Sequence, residues 1–148
     1  MGNEDFYQLL TGEEEANVLD SNLTKIAIID KKSYNPILTE ENISGYRYEY
    51  SDNIPLGDLF FLVMTGDSME PTIPNGCLVL INLQEKVNDG EIVAFRINGN
   101  NEVNLRRLKI QGNIKLLMPE NKDHEPIIVT DENLITIPGK AIRITVDL

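Results

Sequence analysis

The chain has 148 residues, 41% of them hydrophobic, and a formal net charge of −11. That length suits one domain with a sizeable core and is short for two. Phosphate backbones repel a surface this acidic, which excludes nucleic-acid binding through the chain's own charge; any DNA contact would fall to another domain.

The longest apolar run, Leu59 to Met64, has six residues, far from the roughly 20 that a membrane-spanning helix needs. The expectation is no membrane association. The opening residues lack the basic segment and apolar stretch of a signal peptide. Cys77 is the only cysteine and cannot form an internal disulfide, so a cytoplasmic location is expected.

Residues 1–24 carry Glu4, Asp5, Glu13, Glu14, Glu15 and Asp20 and no lysine or arginine. Asp5 to Leu10 suits one or two helical turns. Thr11-Gly12 then stops the helix, and Glu13 to Glu15 read as a solvated linker. A domain boundary is expected at 24/25.

From Lys25 onward the pattern predicts strands over Lys25–Ile29, Phe60–Thr65, Cys77–Ile81, Glu91–Ile97, Val103–Ile110, Ile114–Met118, Ile127–Val129 and Ala141–Val146. Each is short and rich in Val, Ile, Leu or Phe. Turn residues separate them at Pro74-Asn75-Gly76, Asn88-Asp89-Gly90, Asn98-Gly99-Asn100-Asn101, Gln111-Gly112-Asn113 and Pro138-Gly139. Two of these turns stand at hairpin distance, joining the strands at 91–97, 103–110 and 114–118. The reading is an all-β domain over 25–148, a compact sandwich or folded barrel with short hairpins and no long helix.

The strand at 60–65 runs into Gly66-Asp67-Ser68-Met69-Glu70-Pro71-Thr72-Ile73. A serine on the turn after a buried strand has a fixed backbone and a hydroxyl free to face a cleft, which suits a nucleophile. On spacing alone, Gly-Asp-Ser followed by Met-Glu-Pro is also an ordinary turn. His124 lies in a polar loop with no second His or Cys nearby, so no metal site is expected there. No cofactor motif is present. Cys77 opens an apolar strand and reads as a small buried hydrophobe. Asp67 can cap a turn or orient the loop that carries Ser68.

The segment Leu62 to Gly76 resembles the catalytic-serine segment of LexA and phage CI-type repressors, and signal peptidases carry a similar Ser-Met-x-Pro-Thr box. Other stretches also fit the repressor group: Glu40 to Tyr46, Asp58 to Phe61, Asp89 to Ala94, Arg107 to Asn113, and Leu117-Met118-Pro119-Glu120-Asn121. The resemblance covers about residues 25–148. It implies a serine–lysine self-cleaving peptidase fold, with Ser68 at the nucleophile position and loop N–H groups at Gly66, Asp67 and Met69 near the oxyanion.

The family's general base is a lysine immediately before an Arg-Leu pair, and here that position is Arg106. A buried lysine can lose its proton through desolvation and accept one from serine. A guanidinium cannot. Lys109 lies three residues on, so strand alternation points it to the opposite face. The segment matching the family's cleavage site, about 28–36, contains Lys32, Ser33 and Tyr34 and has no Ala-Gly or Cys-Gly pair.

The resemblance therefore implies the regulatory and dimerisation domain of a transcriptional repressor with self-cleavage lost or impaired. An active Ser68 autopeptidase is the alternative, and a stand-alone module pairing with a full-length repressor is a third reading. The implied partners are a second copy of the chain, an operator reached through an N-terminal helix-turn-helix domain outside this sequence, and a RecA filament or an antirepressor. Residues 1–24 would be the linker and a remnant of that reader. Whether Arg106 is natural or introduced stays open at this level.

Overall fold

A computed structural model of the chain describes residues 22–30, 43–83, 86–97, 102–130 and 135–146. The described residues form nine strands and no α-helix: β1 (Leu23–Asp30), β2 (Ile43–Tyr50), β3 (Leu59–Val63), β4 (Leu78–Leu83), β5 (Ile92–Ile97), β6 (Asn104–Gln111), β7 (Ile114–Met118), β8 (Ile127–Ile128) and β9 (Ile135–Thr145). They join in one mixed sheet in the order β2-β1-β3-β4-β9-β5-β6-β7-β8. The all-β expectation holds. The predicted helical turn at 5–10, the acidic linker at 13–15 and the Lys32-Ser33-Tyr34 segment lie outside the described residues.

β3 shows how the sheet is anchored. Its sequence LFFLV is buried on both faces. Phe60 and Leu62 enter one apolar cluster with Ala27, Ile29, Val79, Ile81 and Leu105. Leu59 and Phe61 enter a second with Ile26 and Leu80. Successive side chains point to opposite faces, so a strand with no polar position must lie inside the fold. β1 runs parallel to β3 and all other pairings are antiparallel. A third cluster, Val93, Phe95, Leu108 and Leu117, sits under β5, β6 and β7. The expected hairpin at Gly112-Asn113 joins β6 to β7, with Gln111 opposite Ile114 and Gly112 at φ 60.

Two expectations are corrected. Ile43–Tyr50 is a full edge strand paired with β1 along its length, although only the flanking strands are legible from apolar runs. Its burial alternates strictly between half-buried and exposed, and its apolar content is tyrosine rather than aliphatic. Second, Pro138-Gly139 is no turn but lies inside β9, where Gly139 pairs with Leu83 of β4 and Ala94 of β5. A Cβ at Gly139 would stand 2.1 Å from the Asn82 carbonyl oxygen. The glycine serves a close strand approach.

Candidate active site

Ser68 rides on a loop, 64–77, closed at its base by backbone bonds. The Met64 N–H donates to the Cys77 carbonyl and the Gly76 N–H to the Met64 carbonyl, each at 2.8 Å. Gly66 and Gly76 stand at φ 95 and 91, turns that a side chain would strain. Two apolar residues pin the loop from inside: Met69 and Ile73 are fully buried in the same cluster as Phe60 and Leu62. Asn75 ties the loop across, accepting from the Gly66 N–H at 2.8 Å through Oδ1 and donating its own N–H to Glu70 Oε1 at 3.2 Å. The Gly66 N–H is thus already engaged within the loop. The Glu70–Pro71 peptide is cis. Ser68 itself is partly buried.

A second loop, Pro119 to His124, clasps the first. The Glu120 and Asn121 N–H groups both donate to the Ser68 carbonyl, at 3.1 and 3.0 Å. Asn121 Nδ2 donates to the Asp67 carbonyl at 3.0 Å. His124 Nε2 lies 2.7 Å from Asp67 Oδ1. The Asp67 side chain therefore bridges two loops rather than capping a turn. His124, expected to be a solvated loop residue, is its partner and only partly exposed. Fifty-seven residues separate the two, so no local pattern reveals the pair.

β6 reaches the same loop through Arg107. Its Nε donates to Glu120 Oε1 at 3.0 Å, its Nη2 bonds the same oxygen, and its Nη1 donates to the Gly90 carbonyl at 2.7 Å. Thr72 also donates to Glu120 Oε1, at 3.2 Å. These donors, Arg107 first, hold the Glu120 carboxyl below the usual carboxylate range. Just before β5, the bond from Lys140 at 2.8 Å, with the Asn88 N–H, does the same for Glu91.

Arg106 projects from the other side of β6, the side of its register partner Val93 and of Leu108. Its Nε and Nη1 are buried and have no hydrogen-bond partner among the described residues. Burial pushes its guanidinium below its ordinary value. Even so, a guanidinium stays protonated in a protein, and it offers donors only. Lys109 is exposed, as alternation predicts. Cys77 is buried and free. Among the described residues no cluster of three His, Cys, Asp or Glu could hold a metal ion, and no helix is long and apolar enough to cross a membrane. A cavity of about 390 Å³ over one face of β4 and β9, lined by Asn53, Pro55, Leu80, Asn82, Lys140, Ile142 and Arg143, includes no residue of the Ser68 loop.

Residues 27–142 match the family model described as Peptidase S24-like. The chain is 35% identical over 111 residues to proteins named LexA repressor from Erwinia tasmaniensis and from Edwardsiella ictaluri, a match covering 74% of this chain and 54% of each relative. The chain thus belongs to the Peptidase S24-like family, and it spans about half the length of the curated relatives it matches.

Proposed function

We propose that this chain is the regulatory and dimerisation domain of a LexA/CI-like transcriptional repressor in which self-cleavage is lost or impaired. Family membership and likeness to two LexA repressors support the repressor reading. The single observation that carries the loss of cleavage is Arg106. By the sequence resemblance it occupies the general-base position, and it is a cation there rather than a neutral amine.

In this reading residues 25–148 join two copies of the chain, and residues 1–24 lead from a helix-turn-helix reader outside this sequence. Pairing raises the effective concentration of the second reader once the first half-site is bound. The protein works in the cytoplasm. Ser68 keeps the nucleophile position, Asp67 and Met69 flank it on the loop, and the Lys32-Ser33-Tyr34 segment stands where relatives are cut. Induction then runs through an antirepressor or an external protease rather than through RecA-stimulated self-cleavage.

Intact-mass spectrometry after long incubation at about pH 9–10, where a lysine-type base is favoured, tests the reading. The parent, Ser68→Ala and Arg106→Lys variants run side by side. An intact parent with fragments from Arg106→Lys is the expected result. Fragments from the parent that disappear in Ser68→Ala would establish a working autopeptidase instead.

A further inference from the structure

We infer that the outer edge of β2 pairs with the same edge of a second copy of this chain, antiparallel and with Tyr48 on the two-fold axis. This goes beyond the dimerisation reading above by naming a surface and a register, and it rests on the edge itself rather than on the fate of self-cleavage.

β2 is the outermost strand on its side of the sheet, and among the described residues it pairs with β1 alone. The direction of its backbone groups follows from one bond. The Ser51 N–H donates to the Asn22 carbonyl at 2.8 Å. That pair continues the β1–β2 register, in which Leu23 faces Tyr50 and Thr24 faces Glu49. Hydrogen-bonded pairs in an antiparallel ladder recur at every second residue. Glu49 and Arg47 are therefore the residues bonded to Thr24 and Ile26. The N–H and C=O groups of Tyr46, Tyr48 and Tyr50 point the other way, to the open edge.

Edges that stay unpaired are normally blunted by short length, proline, a bulge or charge. β2 has eight residues and no proline. The irregularity in its ladder lies between Ile28 and Ile29, opposite the start of the strand and outside 46–50. Tyr46, Tyr48 and Tyr50 share one face at 38%, 43% and 62% exposure. Lys25, whose Nζ lies 4.2 Å from the centre of the Tyr46 ring, supports them from β1. The opposite face carries Arg47 and Glu49, in contact at 3.3 Å. Arg143 also bonds Glu49, and both guanidiniums stand over the Phe61 ring. The two opposite charges of the edge are thus held on the sheet face before any partner arrives.

Charge selects the register. A two-fold pairing that uses the outward groups puts either a tyrosine or the residue between two tyrosines on the axis. Arg47 on the axis would set two guanidiniums face to face, and Glu49 two carboxylates, and like charges directly opposite are destabilising. An axis at Tyr46 or Tyr50 pairs neither charge with its opposite. An axis at Tyr48 sets Arg47 against the partner's Glu49 and Glu49 against the partner's Arg47. These are the non-hydrogen-bonded positions, where side chains come closest. Tyr46 then meets the partner's Tyr50, and Tyr48 its own copy, each pair exchanging both N–H···O bonds. The contact is isologous, so it closes at two copies. The ladder stops where the turn Ser51–Asn53 leaves the strand, so the contact is small and its affinity low.

The test uses the full 148-residue chain, whose native Cys77 is buried. Tyr46→Cys, Tyr48→Cys and Tyr50→Cys are oxidised gently, each alone and the first mixed with the third, and linked dimers are read on a non-reducing gel. Tyr48→Cys with itself, and the mixture, should link at least about tenfold faster than Tyr46→Cys or Tyr50→Cys alone, whose thiols lie too far from their own copies. Equal linking of all three single variants, or no linking, overturns the inference. Sedimentation velocity over about 10–500 µM, the range for a small contact, reads association without thiols. Tyr48→Glu sets two carboxylates face to face on the axis while its own chain offers Lys25 as a counter-ion. It should weaken association by about tenfold or more with an unchanged circular dichroism spectrum. Unchanged association in this variant overturns the inference and leaves the dimerisation reading standing on another surface. A parent that stays monomeric throughout overturns both. The expected cross-links in a parent that cleaves itself support this inference and remove the loss of cleavage from the function proposed above.

Discussion

Arginine and lysine at position 106 would do opposite things on the same strand. The difference lies in whether burial can strip the proton, which it does for an amine and not for a guanidinium. Because Nε and Nη1 of Arg106 are buried without acceptors among the described residues, replacing the side chain with an apolar one of similar length relieves a penalty. Arg106→Met should raise unfolding stability by about 1–3 kcal/mol, read from the urea midpoint. The Asp67–His124 pair is different in kind. With side chains 59% and 37% exposed, it is screened by solvent, so His124→Ala should cost under about 1 kcal/mol in the same assay. Glu91 and Glu120 set the acid limit. Their folded carboxyls lie below the ordinary value of 4.5, so their contribution is present above that value and is lost as the pH falls through the folded one. The urea midpoint should therefore drop as pH falls from about 5 to 3, and the Glu91→Gln, Glu120→Gln double variant should show a flatter profile over that range.

At the scale of elements, the long strand β9 links the two halves of the sheet, pairing with β4 on one side and β5 on the other. Its Gly139 admits β4 so closely that an added methyl would overlap the Asn82 carbonyl. Gly139→Ala should destabilise the protein by more than about 2 kcal/mol, with a lower thermal midpoint as the readout. A midpoint unchanged from the parent would mean that β4 and β9 can separate at little cost. The strands most visible in the sequence, β3, β4 and β5, are those buried on both faces, where aliphatic runs are obligatory. β2 was not visible because an edge strand with one solvated face can alternate tyrosine with polar residues. Pro138-Gly139 carries the composition of a turn, and only its neighbours in space make it strand.

For the whole molecule, the sheet brings the Ser68 loop, the 119–124 loop and β6 together through Glu120, which donates to the Ser68 carbonyl and accepts from Arg107. Glu120→Ala removes the acceptor for Arg107 and Thr72 while leaving the backbone bond, so it should loosen the clasp without unfolding the sheet; faster amide exchange at residues 66–69 is the measurement that checks it. The charge of −11 acts at the same scale. The 148-residue chain alone should not retard duplex DNA in a gel at physiological salt.

By itself the sequence determined the all-β class, most strand positions and the serine-bearing turn, because hydrophobic periodicity and turn chemistry are local properties. It also determined that Lys109 faces away from Arg106, since alternation follows from strand geometry alone. The tertiary structure decided what surrounds those residues. The Asp67–His124 contact, the Glu120 clasp, the strand role of Gly139 and the isolation of the Arg106 donors all depend on segments far apart in the chain meeting in one sheet. Pairing partners and burial are properties of that meeting, and no short window of sequence contains them.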